Sequence, residues 1–185
     1  MLIAFGLIAE NSYGKVSIDE IAKAAGVSKG AIFHYFDSKY ELAKESLFFA
    51  FNKTYMNELS SFDSSNPVES ARKLIDFSVD ASLKNWNLIR YALDIYEAAT
   101  EAGESMEDWS AAFSQYVLPM ARALGECGVP NPEVKAALLI TFLDALGMEQ
   151  ALAGGGAALD PDLLKKEVFE LFIGNYQNRS RRRQS

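Results

Sequence analysis

The stretch Val16–Lys39, VSIDEIAKAAGVSKGAIFHYFDSK, decides the fold of this chain. It reads as two short helices joined by a tight turn. Ser17 is placed to cap the first, because a serine hydroxyl accepts a hydrogen bond from an orphan N–H of the first turn. Glu20, the third residue after it, completes a capping box. Ile18, Ile21, Ala22 and Ala25 then share one helical face. Gly26 follows, and glycine is the residue that best tolerates a left-handed C-terminal cap. Val27 is read as the apolar plug of the turn. Ser28 is the expected cap of a second helix through Lys29, Gly30, Ala31, Ile32, Phe33, His34 and Tyr35. Ile32 and Phe36 are assigned to its inner side. Small and polar groups are left outside, as a helix entering a DNA major groove requires.

An ordinary helical hairpin in a bundle has the same spacing. The second helix argues for more. A solvated face would carry several Glu and Lys and few glycines. Here Gly30 and Ala31 leave room for close approach, and Lys29, His34, Tyr35 and Lys39 supply phosphate donors. The expected DNA-contacting set is Ser17, Ser28, Lys29, Gly30, Ala31, His34, Tyr35 and Lys39. Lys39 and Tyr35 are assigned to phosphates, and Lys29, Gly30, Ala31 and His34 to bases or their backbone neighbours.

From Ala4 to Leu47 the chain resembles the N-terminal domain of TetR-type transcriptional regulators. The most specific part, IAKAAGVSKGAIFHYFDSKYEL, is similar to the family pattern IA..AGVS.G..Y.YF.SK..L. Phe33 stands where that family usually has Tyr, so a contact made by the hydroxyl would be missing. The resemblance implies an all-α fold, with a three-helix DNA-binding domain followed by a helical bundle that forms a homodimer. It also implies a first helix that starts several residues earlier, behind Lys and Arg. Met1 here sits almost inside that helix. Either the native start lies upstream of Met1, or some phosphate contacts are lacking.

Composition sets the outer bounds. With 185 residues, 49% of them hydrophobic, the chain can bury a sizeable core. Cys127 is the lone cysteine, so no intrachain disulfide forms and a reducing, cytoplasmic setting is expected. A plain buried thiol is expected there rather than a redox sensor. No apolar run suggests a membrane span, and the apolar N-terminus reads as a core helix rather than a signal peptide. Net charge is −7, unevenly spread. Residues 1–60 sum to −1, residues 61–178 to −10, and the tail 179–185 to +4. DNA binding must then rest on a local positive patch around Lys29, His34 and Lys39, since bulk charge opposes it.

The chain reads as helical throughout, with Pro and Gly between helical runs. A third helix follows the cap candidate Ser38 and runs to about Phe62. It is long enough to link a DNA-binding domain at 1–47 to a body at 48–178. The basic tail at 179–185 is expected to be disordered. Body helices are expected near 67–84, 86–102, 105–127, 131–153 and 161–178. The last two are apolar on more than one side. A helix of that kind needs cover on both sides, which suggests a homodimer through 131–153 and 161–178. An internal core is the competing explanation.

Signals for catalysis are poor. His34 is the only histidine, so no catalytic triad can form away from the second helix. No cluster has metal-ligand spacing, and no cofactor is implied. Aromatic residues do crowd helices 67–84, 86–102 and 105–127. Phe77, Tyr91, Asp94, Trp109, Phe113 and Tyr116 form the candidate wall of an effector pocket, against the alternative of plain core packing. Asp80, Asp94 and Glu97 offer partners for a cation, and Arg90 and Lys84 for a carboxylate or acyl thioester. The expected function is therefore a ligand-responsive, homodimeric DNA-binding regulator. By resemblance it is a repressor released from its operator by a small apolar or amphipathic effector. The alternatives are a helical small-molecule or lipid-binding protein without DNA readout, and a DNA-binding regulator with no small-molecule effector.

Overall fold

The computed structural model describes the backbone of residues 1–104, 107–156 and 159–176, with the side chains of 54, 57, 59, 60 and 107–113 outside that description. The tail 179–185 also lies outside it. Nine α-helices and one π-helical turn are present among the described residues, with no strand. They are α1 (Leu2–Asn11), α2 (Ile18–Ala25), α3 (Lys29–Tyr35), α4 (Lys39–Ser60), α5 (Pro67–Lys84), α6 (Trp86–Ala102), α7 (Glu107–Glu126), α8 (Pro132–Leu152) and α9 (Pro161–Phe169), then the π-turn Glu170–Gly174. Local punctuation explains most of the boundaries. Pro67, Pro132 and Pro161 each open a helix, where the missing N–H costs nothing. The helix expected over 161–178 departs from this pattern, because α-geometry stops at Phe169. The π-turn follows, and the Glu170 carboxyl lies where a Cβ on Gly174 would stand.

The chain divides into two compact units. The first takes Met1–Thr54 and Asn87–Trp109; the second takes Tyr55–Trp86 and the described residues from Ser110 onward. A division at residue 47 is therefore not where compactness changes. Helix α6, assigned to the body from sequence, groups with the N-terminal helices. Its buried residues Leu88, Tyr91, Ile95 and Ala99 recur at helical spacing. The Tyr91 ring lies 5.3 Å from that of Phe5, and its hydroxyl donates to the Ala43 carbonyl at 3.1 Å. Around them Ile8, Ile21, Ile32, Leu42 and Leu47 complete the core of this unit.

In the second unit α5 packs on α8 and α9. Ile75, Val79, Leu124, Leu139 and Ile173 are its most enclosed side chains. Two polar contacts join α5 to α9. Lys165 Nζ lies 2.8 Å from Asp80 Oδ1, and the Arg72 guanidinium sits 3.6 Å from the centre of the Phe169 ring. Cys127 is buried, and its thiol donates to the Pro67 carbonyl at 3.3 Å. Burial first, and then the nearby Glu126 charge, push that thiol up to about 11. It therefore stays protonated and unreactive at neutral pH, as a structural thiol does.

Helix α8 has two apolar faces with different fates. Ala136, Leu139, Leu143 and Leu146 enter the core of the unit. Val134, Leu138, Met148 and Leu152 are exposed, at 60%, 54%, 41% and 85%. With Thr141 and Ala145 these recur at alternating steps of four and three, the spacing of a helix–helix seam. On α9 and the π-turn the split repeats. Val168, Phe169, Phe172 and Ile173 are buried, while Leu163 and Leu171 are exposed. Phe172 thus belongs to the core of this unit, and the outer stripe is exposed among the described residues.

Candidate nucleic-acid interface

The α2–α3 hairpin is built by its caps. Ser17 Oγ accepts from the Glu20 N–H at 3.2 Å, and the Glu20 carboxylate accepts from the Ser17 N–H at 2.7 Å. Donation from the Ser17 N–H, and then from the Ser17 hydroxyl at 2.7 Å, holds the Glu20 carboxyl below the usual glutamate range. That contribution is present above the ordinary glutamate pKa and is lost as pH falls through the lowered value. At the other end Gly26 adopts φ 68°, and the N–H groups of Gly26 and Val27 donate to the carbonyls of Lys23 and Ala22. This is a complete Schellman closure. Val27 contributes its N–H to that closure. Its side chain is 47% exposed, so it does not plug the turn. It lines an open apolar groove with Met1, Leu2, Ala25 and Phe36.

Ser28 Oγ accepts from the Ala31 N–H at 3.0 Å and starts α3. Ile32 faces the core, and Phe36 is half-buried just beyond the helix. Lys29, Gly30, Phe33, His34 and Tyr35 are exposed, Tyr35 at 76%. His34 and Tyr35 rings meet edge to face at 5.0 Å. Lys29 Nζ pairs with Asp19 at 2.8 Å, with both side chains more than half exposed. Such surface pairs contribute little, so a phosphate or base can take the lysine over. At Gly30 the nearest atom to an added Cβ is Ser28 Oγ, 3.8 Å away. The described residues therefore leave room for a side chain there.

Lys39 stands apart from the other expected contacts. Its Nζ donates to the Tyr13 carbonyl at 2.5 Å and sits 4.1 Å from the centre of the Tyr13 ring. Desolvation lowers its pKa, with the Glu20 charge opposing. Tyr13 is held in turn by α6, since its N–H donates to Asp94 Oδ2 at 3.1 Å. One turn earlier on α6, the Arg90 guanidinium donates to the Ala9 carbonyl. Nothing local in the sequence links residues 13, 39 and 94, because their proximity arises only when α6 folds onto the N-terminal helices.

The expected effector wall divides between the units. Tyr91 and Asp94 are committed to the first unit, as core ring and loop anchor. Phe77 and Tyr116 lie in the second, where both rings pack edge to face on Tyr55, at 5.8 and 6.3 Å. The side chains of Trp109 and Phe113 lie outside the described residues. Tyr55 was not singled out from sequence, and neither was Asp144 of α8. Asp144 keeps solvent contact, yet the protein around it desolvates the carboxyl and pushes it up to about 6. Its charge adds to burial in raising the Tyr55 hydroxyl. Among the described residues no cluster of His, Cys, Asp and Glu is placed to hold a metal ion, and no helix is long and apolar enough to cross a membrane.

Residues 3–46 match the model for bacterial regulatory proteins of the tetR family. The N-terminal helices form a tetR-type domain. No curated protein sequence matches the chain significantly. Its fold is that of several solved regulators. A transcriptional regulator from Rhodococcus sp. Rha1 is 22% identical at a TM-score of 0.69, with 95% of this chain and 92% of that one covered. AibR, solved in complex with isovaleryl coenzyme A and operator DNA, is 19% identical at 0.61, with 93% and 95% covered. The fatty acid degradation regulator FadR from Bacillus halodurans is 17% identical at 0.64, with 92% and 90% covered.

The tetR-type domain agrees with the capping residues in detail. Its span includes Ser17, Glu20, Gly26 and Ser28, the residues that fix the hairpin, and every expected DNA contact from Ser17 to Lys39. Phe33, at the family's tyrosine position, is 44% exposed. It presents an apolar ring to the surface where a hydroxyl would otherwise stand.

Proposed function

We propose that the protein is a homodimeric transcriptional regulator that binds a two-fold symmetric operator through α3 and is released by a small apolar or amphipathic effector. The observation that carries this reading is Gly30. Glycine in a helix costs about 0.5–1 kcal/mol relative to alanine, and none of the described residues crowds a Cβ at that site. The missing side chain therefore serves something outside the protomer. An α3 seated in the major groove needs that close approach. Lys29, Ala31 and His34 would then reach base edges. Tyr35, Lys39 and the Ser17 and Ser28 caps would meet the phosphate strand. Gly30→Ala is expected to raise thermal stability slightly while weakening operator binding at least tenfold. Melting curves and fluorescence anisotropy read the two opposite signs.

The dimer would form through the exposed stripe of α8 and the outer residues of α9. The effector would sit against Phe77, Tyr116 and Tyr55, with Phe113 as a further candidate from sequence. AibR's complex with an acyl-coenzyme A supports an amphipathic effector class. Release would be a population shift: effector must bind better to a form whose two recognition helices are wrongly spaced. Helix α4 passes unbroken from the first unit into the second, which makes it a lever. Such a protein works where the chromosome is, in the cytoplasm, and is a regulator and not an enzyme. Selection of duplexes from a random library by the pure protein tests the reading. An enriched inverted repeat supports it, and no enrichment above salt-dependent background overturns it.

A further inference from the structure

Ser12 is the most strained residue of the described chain. Its φ of 74° and ψ of 152° lie in a region that essentially only glycine occupies. Such a conformation persists only where the surroundings over-determine it. Here they do, and they act on the next residue. Both backbone groups of Tyr13 are taken by side chains from other helices. Its N–H goes to Asp94 of α6, 81 positions away, and its carbonyl to Lys39 of α4, 26 positions away. The Tyr13 ring lies under the same ammonium. Asp94 is itself fixed, because Arg90 and Tyr91 on the same helix reach the Ala9 and Ala43 carbonyls.

Lysine carries its charge on a flexible four-carbon stem, and ordering that stem is part of the cost of gripping a phosphate. A lysine already pinned between a carbonyl and a ring has met that cost in advance. The ammonium has three donors, and Tyr13 uses one through its carbonyl. The other two can meet a phosphate without breaking the grip.

We propose that Asp94 is a positioning residue for DNA binding: it fixes the Tyr13 peptide, and Tyr13 aims Lys39 at the phosphate strand. Asp94 touches no DNA in this arrangement. The strain at Ser12 is retained because a relaxed loop would carry Tyr13, and so Lys39, out of place. This inference rests on the DNA-binding reading above and adds a residue that the recognition hairpin does not contain.

The test uses the full chain and one fixed duplex that it selects from a random library, with affinity followed across a salt series. Lys39→Ala should weaken binding several-fold and lower the salt slope by about one unit, the mark of a lost phosphate contact. Asp94→Ala should do the same while melting as a folded protein. The double variant should bind no worse than either single one, since both remove the same contact. Asp94→Asn keeps an oxygen for the Tyr13 N–H and should retain most of the affinity. Ser12→Gly removes no partner and relieves the strain while the loop stays in place, because glycine adopts this φ and ψ without cost. It should melt higher than the parent and keep the full salt slope. An Asp94→Ala loss that adds in full to that of Lys39→Ala overturns the proposal, as does a Ser12→Gly protein that melts no higher than the parent. If Lys39→Ala itself binds normally, the DNA-binding reading survives and the relay does not. If no duplex is selected at all, both fall.

Discussion

Replacing Leu138 with arginine is expected to turn the protein into a folded monomer that no longer holds its operator. Leu138 is 54% exposed in the protomer, beside Val134, Thr141 and Ala145 on the outer stripe of α8. The core face of the same helix, with Leu139 and Leu143, points elsewhere. The protomer should therefore keep its helical content. Across a two-fold axis the arginine would meet apolar side chains and lose water without gaining a partner. Two tethered recognition helices owe their joint affinity to effective concentration, which is worth about 10²–10⁴ over one alone. Operator binding should fall by about that factor, with sedimentation moving to the monomer. Phe172→Arg is expected to differ. Phe172 is 6% exposed inside the protomer core, so that variant should unfold the second unit instead of splitting a dimer. A Leu138→Arg protein that sediments as a dimer and binds DNA normally would show that the stripe is not the interface.

Tyr91→Ala is expected to cost about 3–5 kcal/mol in stability, the range for emptying a large aromatic site in a core. Tyr91 is 1% exposed and packs on Phe5. Its hydroxyl reaches a carbonyl of α4. Tyr91→Phe loses only that hydrogen bond and should cost about 1 kcal/mol. Denaturant melts of the two variants separate a core role from a ligand-lining one. A pocket residue would lower effector affinity and leave the melt nearly unchanged. A core residue in this unit would destabilise the DNA-binding helices and weaken operator binding with no effector present.

The recognition hairpin was legible because its signals are local. Ser17 with Glu20, Gly26, and Ser28 each act within a few residues, and the structure shows every one of those caps. Helix ends were legible where Pro67, Pro132 and Pro161 mark them. What sequence left hidden depends on distant segments. Lys39 was assigned to a phosphate, and its bond to the Tyr13 carbonyl, 26 positions away, left no local signal. Tyr91 and Asp94 looked like pocket residues because aromatic and acidic side chains were dense around them. Their partners Phe5, Ala43 and Tyr13 become neighbours only when α6 packs with the first unit. Val27 was expected to be buried because it is apolar, whereas the Schellman closure needs only its N–H. The apolar residues of α8 and α9 were correctly read as two-sided. Which side was core and which was outer stripe followed only from the packing of α5 against both helices.

The most direct test of the central claim is methylation interference on the duplex that the protein selects. If α3 of each protomer enters a major groove, methylation of guanine N7 should block binding at two symmetric patches. They should lie on one face of the DNA, their centres about 34–36 Å apart or a multiple of that. Interference at a single patch, in the minor groove alone, or nowhere along the duplex would contradict the account.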